Sequence, residues 1–183
     1  MTKYIKSSRG FTLIELIISI AITGMVITAV SSFMIYNIKS FHRSEDQFDV
    51  QYHAQSAMNQ FVDKVIGTSG ILDIEFSDED AIIGKDGEYS ISWVKLDNSK
   101  NAPPPSDEAV IFFRHDKTKP AMFYGYKSLS LANTQFAYYI TDFRLKPLPD
   151  GTNFEDCRGI HISISAKKGQ ASITVENEIY FRN

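Results

Sequence analysis

Few side chains in this sequence of 183 residues have the types and spacing that catalysis or metal binding requires. The single cysteine, Cys157, excludes an intrachain disulfide and a zinc site built from several cysteines. No zinc-protease spacing H-E-x-x-H, nucleotide-binding motif or nucleophile elbow is present. We therefore expect a protein that is not an enzyme and that needs no cofactor or metal.

Two weaker arrangements involve histidines and acidic residues. His42 and His53 are eleven residues apart and can share a helix face, where we expect them to be exposed to solvent. Seven acidic residues lie close together and offer the oxygen ligands that Ca²⁺ prefers, but without EF-hand spacing. We expect a solvated loop there and leave calcium binding open. The seven are Asp73, Glu75, Asp78, Glu79, Asp80, Asp86 and Glu88.

The most unusual surroundings are those of Glu15, the only residue charged at neutral pH between Gly10 and Ile38. This apolar run is long enough to span a bilayer as a helix, which takes about 20 residues. It is too long for a secretory signal peptide, and no small-residue cleavage site closes it. A carboxylate in a membrane is costly and usually functional, so Glu15 argues against a plain membrane anchor.

The charges on either side of the run predict its orientation. The first ten residues carry three basic side chains and no acid, and a mixed-charge segment begins at Lys39. Because basic residues favour the cytoplasmic side, we expect a single pass through the cytoplasmic membrane, with the domain after Ile38 outside the cytoplasm. The net charge of −3 argues against a general nucleic-acid partner, which would need a basic face.

The string Arg9-Gly10-Phe11-Thr12-Leu13-Ile14-Glu15-Leu16 resembles the processing motif of type IV prepilins and type II secretion pseudopilins. The resemblance implies that residues 1–10 are a leader peptide. It implies that a prepilin peptidase cuts between Gly10 and Phe11 and N-methylates Phe11. It also implies that Glu15 neutralises the new amine, in its own subunit or in a neighbour, and so sets the register of packed helices.

Helical periodicity continues beyond the apolar run. Ala54, Met58, Phe61 and Val65 recur at i, i+4, i+7 and i+11, and the segment Gly67-Thr68-Ser69-Gly70 ends the pattern. We predict one helix from about Thr12 to about Ile66, roughly 80 Å long. Residues 11–38 would form its transmembrane and filament-core half, and residues 39–66 its amphipathic half. Phe41 and Phe48 either pack internally or face neighbouring subunits.

Residues 67–183 show short strand patterns separated by turns. The clearest is a final antiparallel hairpin, in which Ile160, Ile162 and Ile164 alternate with polar residues. An α+β fold follows, with a long N-terminal helix on an antiparallel sheet, as in pilins. The other predicted strands are Tyr89 to Val94, Ala109 to Arg114, Ala121 to Tyr126, Gln135 to Ile140 and Asp142 to Lys146.

The order of weaker patterns is most similar to W-type minor pilins and J-type pseudopilins. This resemblance implies a minor pilin that primes assembly or sits at the tip of a type IV pilus. Its partners would be prepilin peptidase, other pilin subunits, and the membrane platform and assembly motor. Two alternatives stay open: a pseudopilin of a type II secretion or DNA-uptake machine, and a single-span surface binding protein that never polymerises.

Overall fold

The computed structural model describes residues 10–77 and 87–181, and within these ranges it contains one long helix and eight strands. The helix α1 covers Leu13–Val65, within one residue of the predicted bounds at each end. The strands are β1 (Ile71–Phe76), β2 (Tyr89–Asp97), β3 (Val110–Asp116), β4 (Ala121–Tyr126), β5 (Thr134–Tyr138), β6 (Ile140–Leu148), β7 (Gly159–Lys168) and β8 (Ala171–Tyr180).

The chain divides into two units, residues 1–44 and residues 45–183. In the first unit, the described residues belong mainly to the N-terminal part of α1, and all of them are exposed. The most apolar window of 18 residues in α1 has a mean hydropathy of 2.4, and none of it is buried within the chain. By length and composition, this helix can cross a membrane.

The second unit is built on an antiparallel sheet in the order β5-β4-β3-β2-β6-β7-β8, with β1 paired to β2 as well. The sheet branches at β2. Residues Tyr89 and Ser90 at its start pair with β6, whereas the later part pairs with β3 on one edge and with β1 on the other. Because β2 changes partners along its length, the sheet curls and presents a concave face to the helix.

The helix residues from Val50 to Val65 cover that face. Their buried side chains recur at helical spacing, and Phe61, which is fully buried, lies at the centre of the contact. Its ring centroid is 4.5 Å from that of Phe113 on β3 and 5.3 Å from that of Phe143 on β6. The α+β architecture predicted from the sequence is thus confirmed, with the apolar side of the helix burying the inner side of the sheet.

One assignment made from the sequence is wrong at the start of the sheet. β1 had been assigned to a solvated loop, but Asp73 and Glu75 are exposed residues of a strand that pairs with β2. Residues 78–86 lie outside the described residues, so the expected loop there is not addressed.

One of the buried polar side chains is a histidine. His115 on β3 is 5% exposed, and its ring nitrogen Nε2 lies 3.0 Å from the carbonyl oxygen of Ile140. The carbonyl accepts, so Nε2 carries the proton. Among the described residues, no polar atom is within hydrogen-bonding distance of Nδ1. Burial lowers the pKa of His115, partly opposed by the Ile140 carbonyl and by Asp142.

This environment predicts a loss of stability in acid. The unfolded state binds a proton near pH 6.5, but the folded state binds it only at lower pH. The contribution of neutral His115 to the free energy of unfolding is therefore fully present above the unfolded-state pKa. It is lost as the pH falls through the folded-state pKa. We expect the full chain in detergent to unfold at lower urea concentrations when the pH is below about 6. Trp93 fluorescence measures the unfolding midpoint at each pH.

The His115→Gln variant keeps a donor for the Ile140 carbonyl and removes the titrating ring. It should be less stable at neutral pH but show a flatter pH dependence than the wild type. The exposed control His42→Gln should retain the wild-type dependence. Equal pH dependence in the wild type and in His115→Gln would contradict this account.

Candidate functional site

The Gly10–Phe11 bond lies just before the first turn of α1, in backbone that is neither helix nor strand. Both residues are exposed, and the Phe11 side chain is 86% exposed. Apart from the chain neighbours of Gly10, no atom of the described residues lies within 4 Å of the position that a Cβ on Gly10 would take. The bond is therefore exposed at a position where another protein can reach it. The rest of the predicted leader, residues 1–9, lies outside the described residues.

Thr12 and Glu15 form a reciprocal cap at the start of the helix. The Thr12 backbone N–H donates to Oε2 of Glu15 at 2.8 Å, and the Thr12 hydroxyl donates to the same oxygen at 2.9 Å. In return, the Glu15 backbone N–H lies 3.4 Å from the Thr12 hydroxyl oxygen. This is the capping box T-x-x-E, which satisfies backbone donors that a helix start leaves free. It also places a carboxylate at the positive end of the helix dipole.

The cap uses only one oxygen of the Glu15 carboxylate. The other oxygen, Oε1, forms no hydrogen bond with any residue that the structure describes. A carboxylate has lone pairs on both oxygens and can accept several donors. Glu15 can therefore hold the helix start and accept a further donor, such as an amine, at the same time.

Five other polar side chains of the apolar segment bond back to the helix itself. Their hydroxyl or amide groups donate to the carbonyl four residues earlier, at 2.7 or 2.8 Å. Such back-bonding satisfies these five side chains within the helix and lowers the cost of placing them in an apolar surrounding. The segment thus stays compatible with lipid. The residues are Ser19, Thr23, Thr28, Ser32 and Asn37.

The structure does not bring the histidines and the cysteine into a common site. His42 is exposed as expected, but His53 is half-buried, with its ring centroid 5.3 Å from that of Tyr138 and 5.5 Å from that of Tyr139. Cys157 is buried, and its Sγ lies 3.1 Å from the Phe154 carbonyl oxygen. Burial raises the pKa of the Cys157 thiol, which disfavours the reactive thiolate.

A polar groove of about 440 Å³ lies on β6, β7 and β8 and is lined mainly by charged side chains. His161 Nδ1 lies 3.3 Å from Glu88 Oε1, and an Arg144 guanidinium nitrogen lies 3.8 Å from the second oxygen of Glu88. Glu88 is thus paired within the chain rather than part of a solvated loop. In residues 10–77 and 87–181, no group of three His, Cys, Asp or Glu side chains is arranged to hold a metal.

One ion cluster fixes the final hairpin to the helix. Lys168, at the end of β7, contacts Asp46 at 3.1 Å and Asp49 at 2.6 Å, and both aspartates belong to α1. These hydrogen bonds raise the pKa of Lys168 well above its usual value. The sequence carried no signal for this cluster, because 119 residues separate Lys168 from Asp49.

Comparison with known families supports the assignment of the N-terminal segment. A family model described as the prokaryotic N-terminal methylation motif matches residues 5–31, a range that includes Gly10, Phe11 and the capping box. With the long helix on an antiparallel sheet, this match supports a type IV pilin-like prepilin. No curated protein and no solved structure matched the chain.

The capping box predicts a specific defect in a Thr12→Val variant. Valine keeps the size and branching of threonine but removes the hydroxyl, so the first turn should open more often. We expect amide hydrogen exchange of residues 13–16 to be roughly five times faster in detergent micelles, the change that a lost cap of about 1 kcal/mol produces. Exchange rates can be followed by mass spectrometry of peptides from the full chain.

The matched control is Thr12→Ser, which retains a hydroxyl and should protect the first turn as the wild type does. Exchange around Phe61, far along the helix, should be the same in all three proteins. Unchanged exchange of residues 13–16 in Thr12→Val would show that the cap is not formed in the membrane-like environment.

Proposed function

We propose that this chain is a minor pilin subunit of a type IV pilus, without enzymatic activity of its own. The observation that carries the proposal is the position of the methylation motif. Its Gly10–Phe11 bond is exposed immediately before an apolar helix whose first turn holds the lone acid, Glu15. A prepilin peptidase would cut this bond at the cytoplasmic face of the membrane and methylate the Phe11 amine.

Cleavage would change the electrostatics of the helix start. It removes three basic side chains that favour the cytoplasmic side, and it leaves one cationic amine on Phe11. The free oxygen of Glu15 would accept that amine, in the same subunit or in a neighbour, while its partner oxygen keeps the cap. At low dielectric, a nearby opposite charge strongly stabilises the ionised carboxylate. The pair would therefore fix the axial register between helices.

The apolar half of α1 would serve successively in lipid and in a filament. Five of its polar side chains bond to its own backbone, so neither environment leaves these five unsatisfied. A membrane platform and an assembly motor would extract the subunit from the cytoplasmic membrane. Other pilin subunits would then replace the lipid around the exposed apolar side chains, and the domain of residues 45–183 would lie on the filament surface.

A role in priming or at the filament tip is favoured over a role in the shaft. The domain carries a branched sheet of eight strands among its described residues, and its single cysteine cannot form the C-terminal disulfide of many major pilins. Both features fit a specialised subunit present in few copies.

Cleavage and methylation by a prepilin peptidase are the first step of the proposal and can be tested directly. The full chain expressed with a prepilin peptidase should lose residues 1–10 and gain one methyl group on Phe11, as measured by intact mass. Gly10→Val should block cleavage, because a branched side chain obstructs access to the bond. Gly24→Val is the matched control, since a Cβ at either glycine would have no atom of the described residues within 4 Å beyond the glycine's chain neighbours and local helix backbone. Normal cleavage of Gly10→Val would contradict the assigned cleavage site.

Incorporation tests the role of Glu15. Glu15→Gln keeps an oxygen that can accept the cap hydrogen bonds of Thr12 but carries no charge for the amine. We expect this variant to be cleaved and methylated normally yet to be depleted from sheared filaments, measured as the ratio of filament to membrane fractions. Glu45→Gln, on the same helix but beyond the apolar run, should incorporate as the wild type. Normal incorporation of Glu15→Gln would argue against a charge pair that sets register.

A further inference from the structure

The last strand, β8, is an open edge of the sheet. It stands at the end of the strand order, and among the described residues only β7 pairs with it. Its ten residues pair with β7 without any shift in register. The outer side of such a strand carries backbone N–H and C=O groups that can form hydrogen bonds with another extended chain.

The turn before β8 determines which of its backbone groups face outward. Gly169 and Gln170 form a two-residue turn, and Gly169 has a left-handed φ of +58°, as a type II′ hairpin requires at its first position. Lys168 and Ala171, which flank the turn, therefore form a hydrogen-bonded pair, and such pairs alternate along an antiparallel ladder. The outward groups belong to the residues in between, which are Ser172, Thr174, Glu176, Glu178 and Tyr180.

Most of these outward groups are available to a partner. The Glu178 N–H donates to the side-chain oxygen of Asn177 at 2.9 Å. No other hydrogen bond joins an outward backbone group of β8 to a residue in the described part of the chain. The edge is therefore open along most of its length.

The other two open edges are protected in ways that β8 is not. β1 has six residues and two register shifts against β2, and β5 has five residues and one register shift against β4. Short length, irregular pairing, proline and lysine all keep an edge from binding another strand. β8 is longer and regular, and it contains neither proline nor lysine. It is therefore the edge best suited to accept a further strand.

The charges of β8 lie in the polar groove. Glu176 and Glu178 are exposed and line this groove. The other two acids of the groove have cationic partners, because Asp150 lies 2.9 Å from Lys146 Nζ and Glu88 has the two partners given above. Glu176 and Glu178 form no ion pair with any residue that the structure describes. The groove thus offers two carboxylates to a cation from outside the chain.

The other face of β8 is apolar. Ile173 and Val175 are half-buried and pack against the core. Side chains alternate across a strand, and residues opposite each other on paired strands share a face. A strand added to β8 would therefore place every second side chain beside Ile173 and Val175, and the others beside the two glutamates. The edge fits a segment in which apolar and basic side chains alternate.

We propose that β8 binds an extended segment of a partner protein by strand addition, with lysine or arginine side chains of that segment in the polar groove beside Glu176 and Glu178. The two glutamates are about 7 Å apart along the strand, so the basic residues are also two positions apart. A second copy of this chain is a poor occupant, because antiparallel pairing of two β8 edges brings like charges together. The contact lies on the sheet, away from α1, and goes beyond the function proposed above.

A synthetic peptide tests strand addition to the full chain in detergent micelles. In the probe, valine alternates with lysine, and in the control peptide the same residues form one valine block and one lysine block. We expect only the alternating peptide to slow amide hydrogen exchange of Thr174 and Glu176, several-fold and measured by NMR. Exchange of Ile173 and Val175 should change little, since the ladder with β7 already protects them.

Two results of the peptide experiment would overturn the proposal. One is equal effects of the two peptides, or shifted resonances without slower exchange at the outward positions, since both indicate charge attraction alone. The other is slow exchange at Thr174 and Glu176 that depends on the concentration of the protein itself, which would identify a second copy as the occupant. No slowing at the highest soluble peptide concentration would also contradict strand addition.

Variants of β8 provide a second measurement. The double variant Glu176→Lys with Glu178→Lys should bind the alternating lysine peptide about ten-fold more weakly. It should instead bind a peptide in which valine alternates with glutamate. Glu108→Lys, an exposed residue just before β3, is the matched control and should bind as the wild type. Equal binding by the wild type and the double variant would place the peptide elsewhere and refute the proposal.

The backbone contribution can be tested separately with Thr174→Pro. Proline at this position removes an outward N–H and leaves the ladder with β7 intact, because proline is tolerated where an edge residue faces solvent. We expect the variant to lose binding of the alternating peptide while Ile164 on β7 keeps its slow exchange, which shows that the hairpin is folded. Undiminished binding by a folded Thr174→Pro would argue against hydrogen bonding along this edge.

Discussion

One helix with two different surroundings is the constraint on which the rest of the molecule depends. From Leu13 to about Ile38, its side chains are apolar on every face and none is covered by the chain itself. From Val50 to Val65, only one face is apolar, and that face is fully covered by the sheet. The first part therefore needs an external apolar environment, whereas the second part builds the core of its own domain.

That constraint explains how polar groups are arranged along the apolar part. A hydroxyl in an apolar surrounding is costly unless it is hydrogen-bonded, and Ser19, Thr23, Thr28 and Ser32 meet this requirement by bonding to the preceding turn. Glu15 cannot be satisfied in the same way because it carries a full charge. Because Glu15 lies in the first turn, its carboxylate accepts hydrogen bonds from Thr12 and lies at the positive end of the helix dipole. One oxygen is then left for a cation that cleavage would supply.

The features that could be predicted from the sequence are those that repeat locally. Helical spacing of apolar residues predicted the ends of α1 to within one residue. Alternation of apolar and polar residues predicted the hairpin of β7 and β8. β1 was missed because its segment is short and carries exposed acids, and its place depends on backbone pairing with β2. The T-x-x-E pattern of the capping box was visible in the sequence, but the same residues also carried the processing motif and were interpreted only in that sense.

Contacts between distant segments could not be predicted in this way. The cluster of Lys168 with Asp46 and Asp49 depends on how the hairpin returns to the helix, and nothing local to any of the three residues indicates it. The same is true of His53, which helical spacing placed in solvent but which packs against tyrosines from the end of β5.

These long-range contacts also connect the C-terminal hairpin to the helix, whereas many small extracellular domains connect distant segments through a disulfide. With one cysteine, the chain has to fix its C-terminal hairpin by other means. Lys168 does so with two aspartates on the helix, and the adjoining tyrosines are fixed as a consequence. An ion cluster at the surface is weaker than a covalent bond and is screened by salt. Its effect is therefore to position the tyrosines, while the fold itself depends on the buried contact of Phe61 with the sheet.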